Sequence, residues 1–257
     1  VTNSDQPPSD EPAESGSWWS RPCGGRYVLA MAMPLVISTA SWTVMNFVDR
    51  MFLLWHDKNE MAAALPAGML LFALICFPLG VASYVNTFVA QYVGAGRPAQ
   101  VGRAVWQAIF IGAVSVPLLI ALAPLAEWFF SFARHDPTVA VHEVTYLQIL
   151  TFGAGAMVIS AAMSSFFTGR GKTRTVMVVD TSAAVLNIVL DYLWIFGNAD
   201  VGFPELGIAG AAWATVVSQW FKVAWYCWLM MRPEHRETYG MATGCRIDLP
   251  LLRRLLR

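Results

Sequence analysis

Asp49, Asp180 and Asp191 each stand in a long apolar stretch, where a carboxylate is costly and therefore calls for a reason. Asp49 lies six residues before Trp55, Asp191 six before Gly197, and Thr215 eight beyond Gly207. If these three stretches cross a membrane side by side, a rise of 1.5 Å per residue sets all three side chains roughly 9 to 12 Å below one surface. Asn187 precedes Asp191 by four residues, which puts its carboxamide on the same helix face as the carboxylate. Carboxylate, amide and hydroxyl oxygens from three helices would then meet at one level. Such a donor set suits a hard cation or a bound proton.

The elements that must carry these residues follow from composition. Of 257 residues, 56% are hydrophobic and 13% charged, with mean hydropathy +0.51 and 17 basic residues against 17 acidic. A soluble domain carries about 25% charged residues, so this chain has too little polar surface to face water on all sides. Six apolar stretches of spanning length are predicted at 27–55, 61–93, 104–130, 144–169, 175–197 and 207–231. No charge occurs from Met61 to Gly96 or from Val144 to Gly169. Pro34, Pro66, Pro78, Pro117 and Pro124 lie inside these stretches and predict kinked spans. The expected fold is an all-α bundle of six transmembrane helices.

Loop charge predicts the orientation. The N-terminus, the loops after Val93 and Gly169 and the C-terminal segment hold Arg21, Arg26, Arg97, Arg103, Arg170, Lys172, Arg174, Arg232, Arg236, Arg246, Arg253, Arg254 and Arg257. The opposite loops hold only Lys58 and Arg134, so both termini are expected in the cytoplasm and the chain in the plasma (inner) membrane. Residues 1–25, rich in Pro, Ser, Asp and Glu, read as a disordered tail, 26–231 as the membrane bundle and 232–257 as an amphipathic cytoplasmic segment. Arg50 and Lys222 fall inside spans, where long stems reach toward a boundary.

Other chemistries find little support. Cys23, Cys76, Cys227 and Cys245 are far apart and make neither a disulfide framework nor a zinc site. Zero net charge offers no basic surface for nucleic acid. Gly171-Lys172-Thr173 lacks the glycine a phosphate loop needs, since Phe166 stands there, and Gly94-Ala95-Gly96 and Gly153-Ala154-Gly155 lack the third glycine of a dinucleotide turn. Close helix packing or a turn accounts for both glycine pairs. No nucleophile and base share a membrane depth, so a membrane-embedded enzyme is disfavoured and no cofactor is expected. Asp180, near Lys172 and Arg174, is expected to form an ion pair at the cytoplasmic end. Asp49 has an alternative partner in Arg50, although adjacent helical residues point apart. Glu127 sits near enough to an outer end to reach water. His56, His135, His142 and His235 fall in loops or span ends and are expected to be solvated.

The ordered motifs Pro34, Asn46-Phe47-Val48-Asp49, Gln91-Tyr92-Val93-Gly94-Ala95-Gly96-Arg97, Thr168-Gly169-Arg170-Gly171-Lys172-Thr173, Asn187-Ile188-Val189-Leu190-Asp191-Tyr192 and Gly207-Ile208-Ala209-Gly210-Ala211-Ala212-Trp213-Ala214-Thr215 resemble the multidrug and toxic compound extrusion (MATE) transporters over about residues 27–231. The resemblance implies one six-helix lobe of a two-lobe, twelve-span antiporter that exports cationic or amphipathic compounds in exchange for Na+ or H+. It implies a cation-coupling cluster at Asp49, Asn187, Asp191 and Thr215, which would be the metal ligands if the ion is Na+. It also implies a first span that bends or straightens at Pro34. The chain would then be a fragment or half of a transporter, with 232–257 leading into a second lobe. Arg50 departs from the family pattern and weighs slightly toward sodium. A lipid-linked oligosaccharide flippase of the same superfamily would share the architecture but want a more basic cavity than these spans supply.

Overall fold

The computed structural model describes residues 19, 24–133, 135–197, 202, 204–242 and 244–255. The expected tail, with Trp18 and Arg21, lies largely outside the described residues, as do Arg134 and Arg257. The membrane helices are α1 (Gly25–His56), α2 (Lys58–Gly94), α3 (Val101–Leu122), α4 (Ala126–Ser131), α5 (Pro137–Thr168), α6 (Thr173–Ile195) and α7 (Ile208–Met230). Two short helices follow in the C-terminal segment, α8 (Pro233–Thr238) and α9 (Leu249–Leu255). Among the described residues, five stretches are long and apolar enough to cross a membrane: Gly25–His56, Lys58–Gly94, Pro98–Ser131, Pro137–Thr168 and Thr173–Ile195. The sixth expected span, α7, has 23 residues but carries Ser218, Gln219, Lys222 and four tryptophans, which lower its apolarity. It nevertheless packs against α5 and α6 as the sixth member of the bundle.

The prolines act unevenly. Pro34, Pro66, Pro78 and Pro117 sit inside unbroken helices, whereas Pro124 lies in the single 3-10 turn Ala123–Leu125 that separates α3 from α4. The expected third span is thus two helical pieces. Glu127, in the outer piece, is exposed.

Helix α5 is the hub, packed on α2, α3 and α7. Between membrane helices the hydrophobic effect gives no net drive, so close van der Waals contact and interhelical hydrogen bonds must hold the bundle. Small residues make that contact possible. A Cβ added at Gly155 would lie 2.8 Å from Val116 Cα, and one at Gly153 would lie 3.1 Å from Val216 Cα. This pair therefore packs helices, while Gly96, at φ 66°, makes the turn after α2. The Ser165 hydroxyl bonds Ala161 O at 2.9 Å and also reaches Ser83 O on α2 at 3.3 Å. Because backbone opposes Gly155, Gly155→Leu is expected to lower stability by about 1–3 kcal/mol, the usual cost of overpacking, with Gly155→Ala intermediate. Thermal melting of the purified protein in detergent checks this.

The C-terminal segment is tied to the bundle. Trp106 Nε1 donates to Met241 O at 2.8 Å, Gln107 Nε2 donates to Arg246 O at 2.8 Å, and Gln107 Oε1 accepts from Asp248 N at 3.0 Å. In α9, Leu251 and Leu255 are buried while Arg253 and Arg254 face outward, which makes the helix amphipathic.

Three histidines have side-chain partners, although His135 remains exposed as expected. His56 lies 2.7 Å from Glu60 and 2.9 Å from Glu205, and His135 lies 2.7 Å from the buried Glu143. His235 packs edge-to-face on Phe166 and Phe167, and its Nδ1 accepts from Arg170 at 3.4 Å. Arg170 itself lies over the Phe166 ring at 3.7 Å. Burial and the Arg170 charge hold His235 below the ordinary imidazole value of 6.5, with Arg232 and Lys172 pushing the same way and Glu234 opposing. A depressed histidine contributes stability that is fully present above 6.5 and is lost as pH falls. Amide hydrogen exchange at 232–240, corrected for intrinsic rate, is therefore expected to quicken between pH 7.5 and 5.5, and His235→Gln is expected to remove the pH dependence.

Candidate cation site

Helix α1 buries one stripe, Pro34, Ser38, Met45, Asp49 and Leu53, at intervals of about four residues. Helix α6 answers with Val176, Val179, Ala183, Asn187, Asp191 and Ile195, and the two helices pack together. The stripe turns Asp49 inward, where it is 8% exposed, and leaves Arg50 on the exposed side with no ion pair among the described residues. Asp49 and Arg50 thus make no ion-pair contact, although the Arg50 charge acts on Asp49 from a distance.

Asp49, Asn187 and Thr215 line one cavity of about 350 Å³ together with Arg50, Tyr146, Trp42 and Gln219. Asp191 lies just behind this wall, fully buried, and close enough to Asp49 for the two charges to interact. Asn187 ties Asp191 to Thr215 of α7. With its amide nitrogen turned to Asp191 it donates to Oδ2 at 3.0 Å, and its oxygen accepts from the Thr215 backbone N–H at 3.2 Å. The Thr215 side chain is half-buried on the cavity wall. The expected four residues thus share one neighbourhood, three facing the cavity and Asp191 one layer deeper. Pro34 lies elsewhere, buried on the α1 stripe.

Tyr146 of α5 was absent from the expected set. Its hydroxyl points to Asp49 Oδ2 at 3.4 Å, while Asp49 Oδ1 is buried with no hydrogen-bond partner among the described residues. The depth arithmetic misses it: in the expected span 144–169 Tyr146 lies only two residues, roughly 3 Å, from the end, whereas α5 starts seven residues earlier at Pro137. Among the described residues no group of three His, Cys, Asp or Glu side chains could hold a metal ion. A cation here would rely on two carboxylates with amide, hydroxyl or carbonyl oxygens, a set that fits Na+ and not a transition metal.

Asp180 departs from expectation. Its partner is Lys222 of α7, at 2.9 Å, and not Lys172 or Arg174 of the neighbouring loop. Ser38 donates a short hydrogen bond to Asp180 Oδ2, and Tyr226 donates to Oδ1 at 3.5 Å. Lys222 accordingly does not reach for a boundary. Helix geometry explains the choice: Asp180, half-buried, faces α1 and α7, while the basic loop caps the start of its own helix.

A family model described as MatE matches residues 34–193. Multidrug resistance protein MdtK of Klebsiella pneumoniae (strain 342) is 29% identical over 234 residues, covering 90% of this chain and 51% of that protein. The probable multidrug resistance protein NorM of Neisseria meningitidis serogroup A is 27% identical over 216 residues, 82% of this chain and 45% of NorM. A solved outward-facing multidrug resistance MATE family transporter of the MOP superfamily matches with TM-score 0.78 at 19% identity, over 90% of this chain and 50% of that one. A MATE in the straight conformation matches with TM-score 0.78 at 19% identity, again over 90% and 50%. The chain therefore spans about half the length of the relatives it matches. It belongs to the MATE family of multi-pass membrane transporters, as the amino-terminal lobe of that fold.

Proposed function

We propose that this lobe carries the ion-coupling site of an antiporter that exports cationic or amphipathic small molecules in exchange for Na+ or H+, with both termini cytoplasmic and a second six-helix lobe completing the path. The contrast between the two buried acid levels carries the reading. At Asp180 the neutralising cation is covalently supplied by Lys222. At Asp49 and Asp191 no basic side chain contacts either carboxylate among the described residues, Arg50 acting on Asp49 only from across the cavity lining, and Asp49 Oδ1 has no hydrogen-bond partner. Two like charges in a low dielectric repel, so a mobile cation is what stabilises them together.

Occupancy then moves the helices. A cation drawing Asp49 and Asp191 together favours closure of α1 on α6, and its loss relaxes them. A substrate that prefers the relaxed state competes with the ion, because a ligand shifts a conformational equilibrium only by its differential affinity. Pro34 removes one backbone hydrogen bond from α1 and gives that helix a point of bending.

Vesicle transport by the protein expressed from its complete coding frame, with sodium and proton gradients imposed separately, tests the reading. Dye accumulation driven by at least one gradient is expected. Accumulation driven by ATP, with both gradients collapsed, would refute it.

A further inference from the structure

The acid level at Asp180 repeats the level at Asp49 three helical turns away. Ser38 and Asp49 on α1, Asp180 and Asp191 on α6, and Tyr226 and Thr215 on α7 are each eleven residues apart. Eleven residues make almost three whole turns, so each pair stays on one face, roughly 16 Å apart along its helix. The Ser38–Asp180 hydrogen bond and a 3.0 Å contact between Ser41 and Thr181 fix the register of α1 on α6 at the lower level.

The two levels differ in what they leave unsatisfied. Asp180 has both oxygens engaged, Oδ2 by Ser38 and Oδ1 by Lys222 and Tyr226. Lys222 has three N–H donors and one partner, Asp180, among the described residues. Lys222 and Asp180 are 21% and 19% exposed, open to a cavity of about 250 Å³ and not sealed in the core. Trp42 and Met45 supply apolar wall to this cavity, and Ser218 and Gln219 supply hydrogen-bonding groups. Trp42, Met45 and Gln219 also line the cavity at Asp49, so the two spaces share a wall.

We propose that Lys222, positioned by Asp180, Ser38 and Tyr226, is a binding station for the carboxylate of an aromatic or otherwise amphipathic solute, whose apolar body lies along Trp42 and Met45. At the upper level the unpartnered atom is a carboxylate oxygen, Asp49 Oδ1, which a cation satisfies; at the lower level it is the spare N–H donors of the paired ammonium, which a carboxylate satisfies. An ammonium with spare donors in a partly desolvated cavity makes charge-assisted hydrogen bonds that water competes with poorly. An indole ring beside it offers stacking area for an aromatic ligand. The inference rests on the transport reading only in taking the cavities as a passage for amphipathic solutes.

The test uses rhodamine B, which carries a free carboxylate, and its ethyl ester, which does not. Each dye is titrated at equilibrium, with no ion gradient, against the full-length protein in phosphatidylcholine nanodiscs, and binding is read by fluorescence anisotropy. The double variant Asp180→Asn/Lys222→Gln removes both charges and leaves no ion unpaired. It is expected to weaken rhodamine B by about tenfold or more and to leave the ester within about twofold. Lys222→Arg, which keeps the cation, is expected to hold rhodamine B within about threefold. Unchanged rhodamine B binding in the double variant, or equal weakening of both dyes, overturns the proposal. Neither result depends on what efflux experiments at Asp191 give.

Discussion

Asp191→Asn is expected to collapse concentrative export while leaving downhill exchange of substrate in place. One elementary charge moving down 100 mV supplies about 2.3 kcal/mol. At about 1.4 kcal/mol per tenfold, that sustains roughly a 40-fold substrate gradient. An asparagine preserves the shape of Asp191 and a hydrogen-bonding oxygen for Asn187, but it takes away the charge that holds a cation. The steady-state dye ratio in energised vesicles should therefore fall from roughly 40-fold toward about one. Counterflow with equal dye on both sides, which needs no coupling, should persist. An unchanged ratio would show that coupling resides elsewhere.

The second large effect concerns stability and falls on the Asp180 level. Removing one member of a buried ion pair leaves an uncompensated charge, which costs about 3–5 kcal/mol in a sealed core, whereas removing both members together is often nearly neutral. Here each partner is about one-fifth exposed, so the penalty is discounted for solvent screening. Asp180→Asn and Lys222→Gln alone are each expected to destabilise by about 1–3 kcal/mol, and the double variant by clearly less than their sum. Asp180→Asn also weakens the seats of Ser38 and Tyr226, so it should be the more severe single change. Denaturant unfolding of all three variants in detergent checks the cycle. Additive losses would mean that the 2.9 Å contact contributes nothing.

Much of this was legible before the structure. The six apolar stretches become α1, α2, α3 with α4, α5, α6 and α7, because length without charge is a strong physical constraint on a chain. The depth arithmetic brought Asp49, Asn187, Asp191 and Thr215 to one neighbourhood since helical rise is nearly invariant. Depth says nothing about rotation around a helix axis, however. It could not reveal that Asp191 sits behind Asn187, nor that Tyr146 points at Asp49. Asp180 was misread for the same reason: proximity in sequence favoured Lys172 and Arg174, while the partner on its packing face was Lys222, 42 positions away. A position at a helix end predicts a wet histidine, yet His235 sits against Arg170 and the aromatic pair Phe166 and Phe167. The prolines show that context decides their effect, since only Pro124 coincides with a break.

The account turns on Asp49 and Asp191 sharing one exchangeable cation. Equilibrium binding of radioactive sodium to the full-length protein, repeated over a range of pH, measures this without any transport step. About one ion per chain is expected for the native protein, displaced by protons or, for a proton-coupled transporter, replaced by one proton taken up from unbuffered solution. Asp49→Asn and Asp191→Asn should each abolish that stoichiometry. If both variants bind the ion or the proton as the native protein does, the two acids do not form a coupling site.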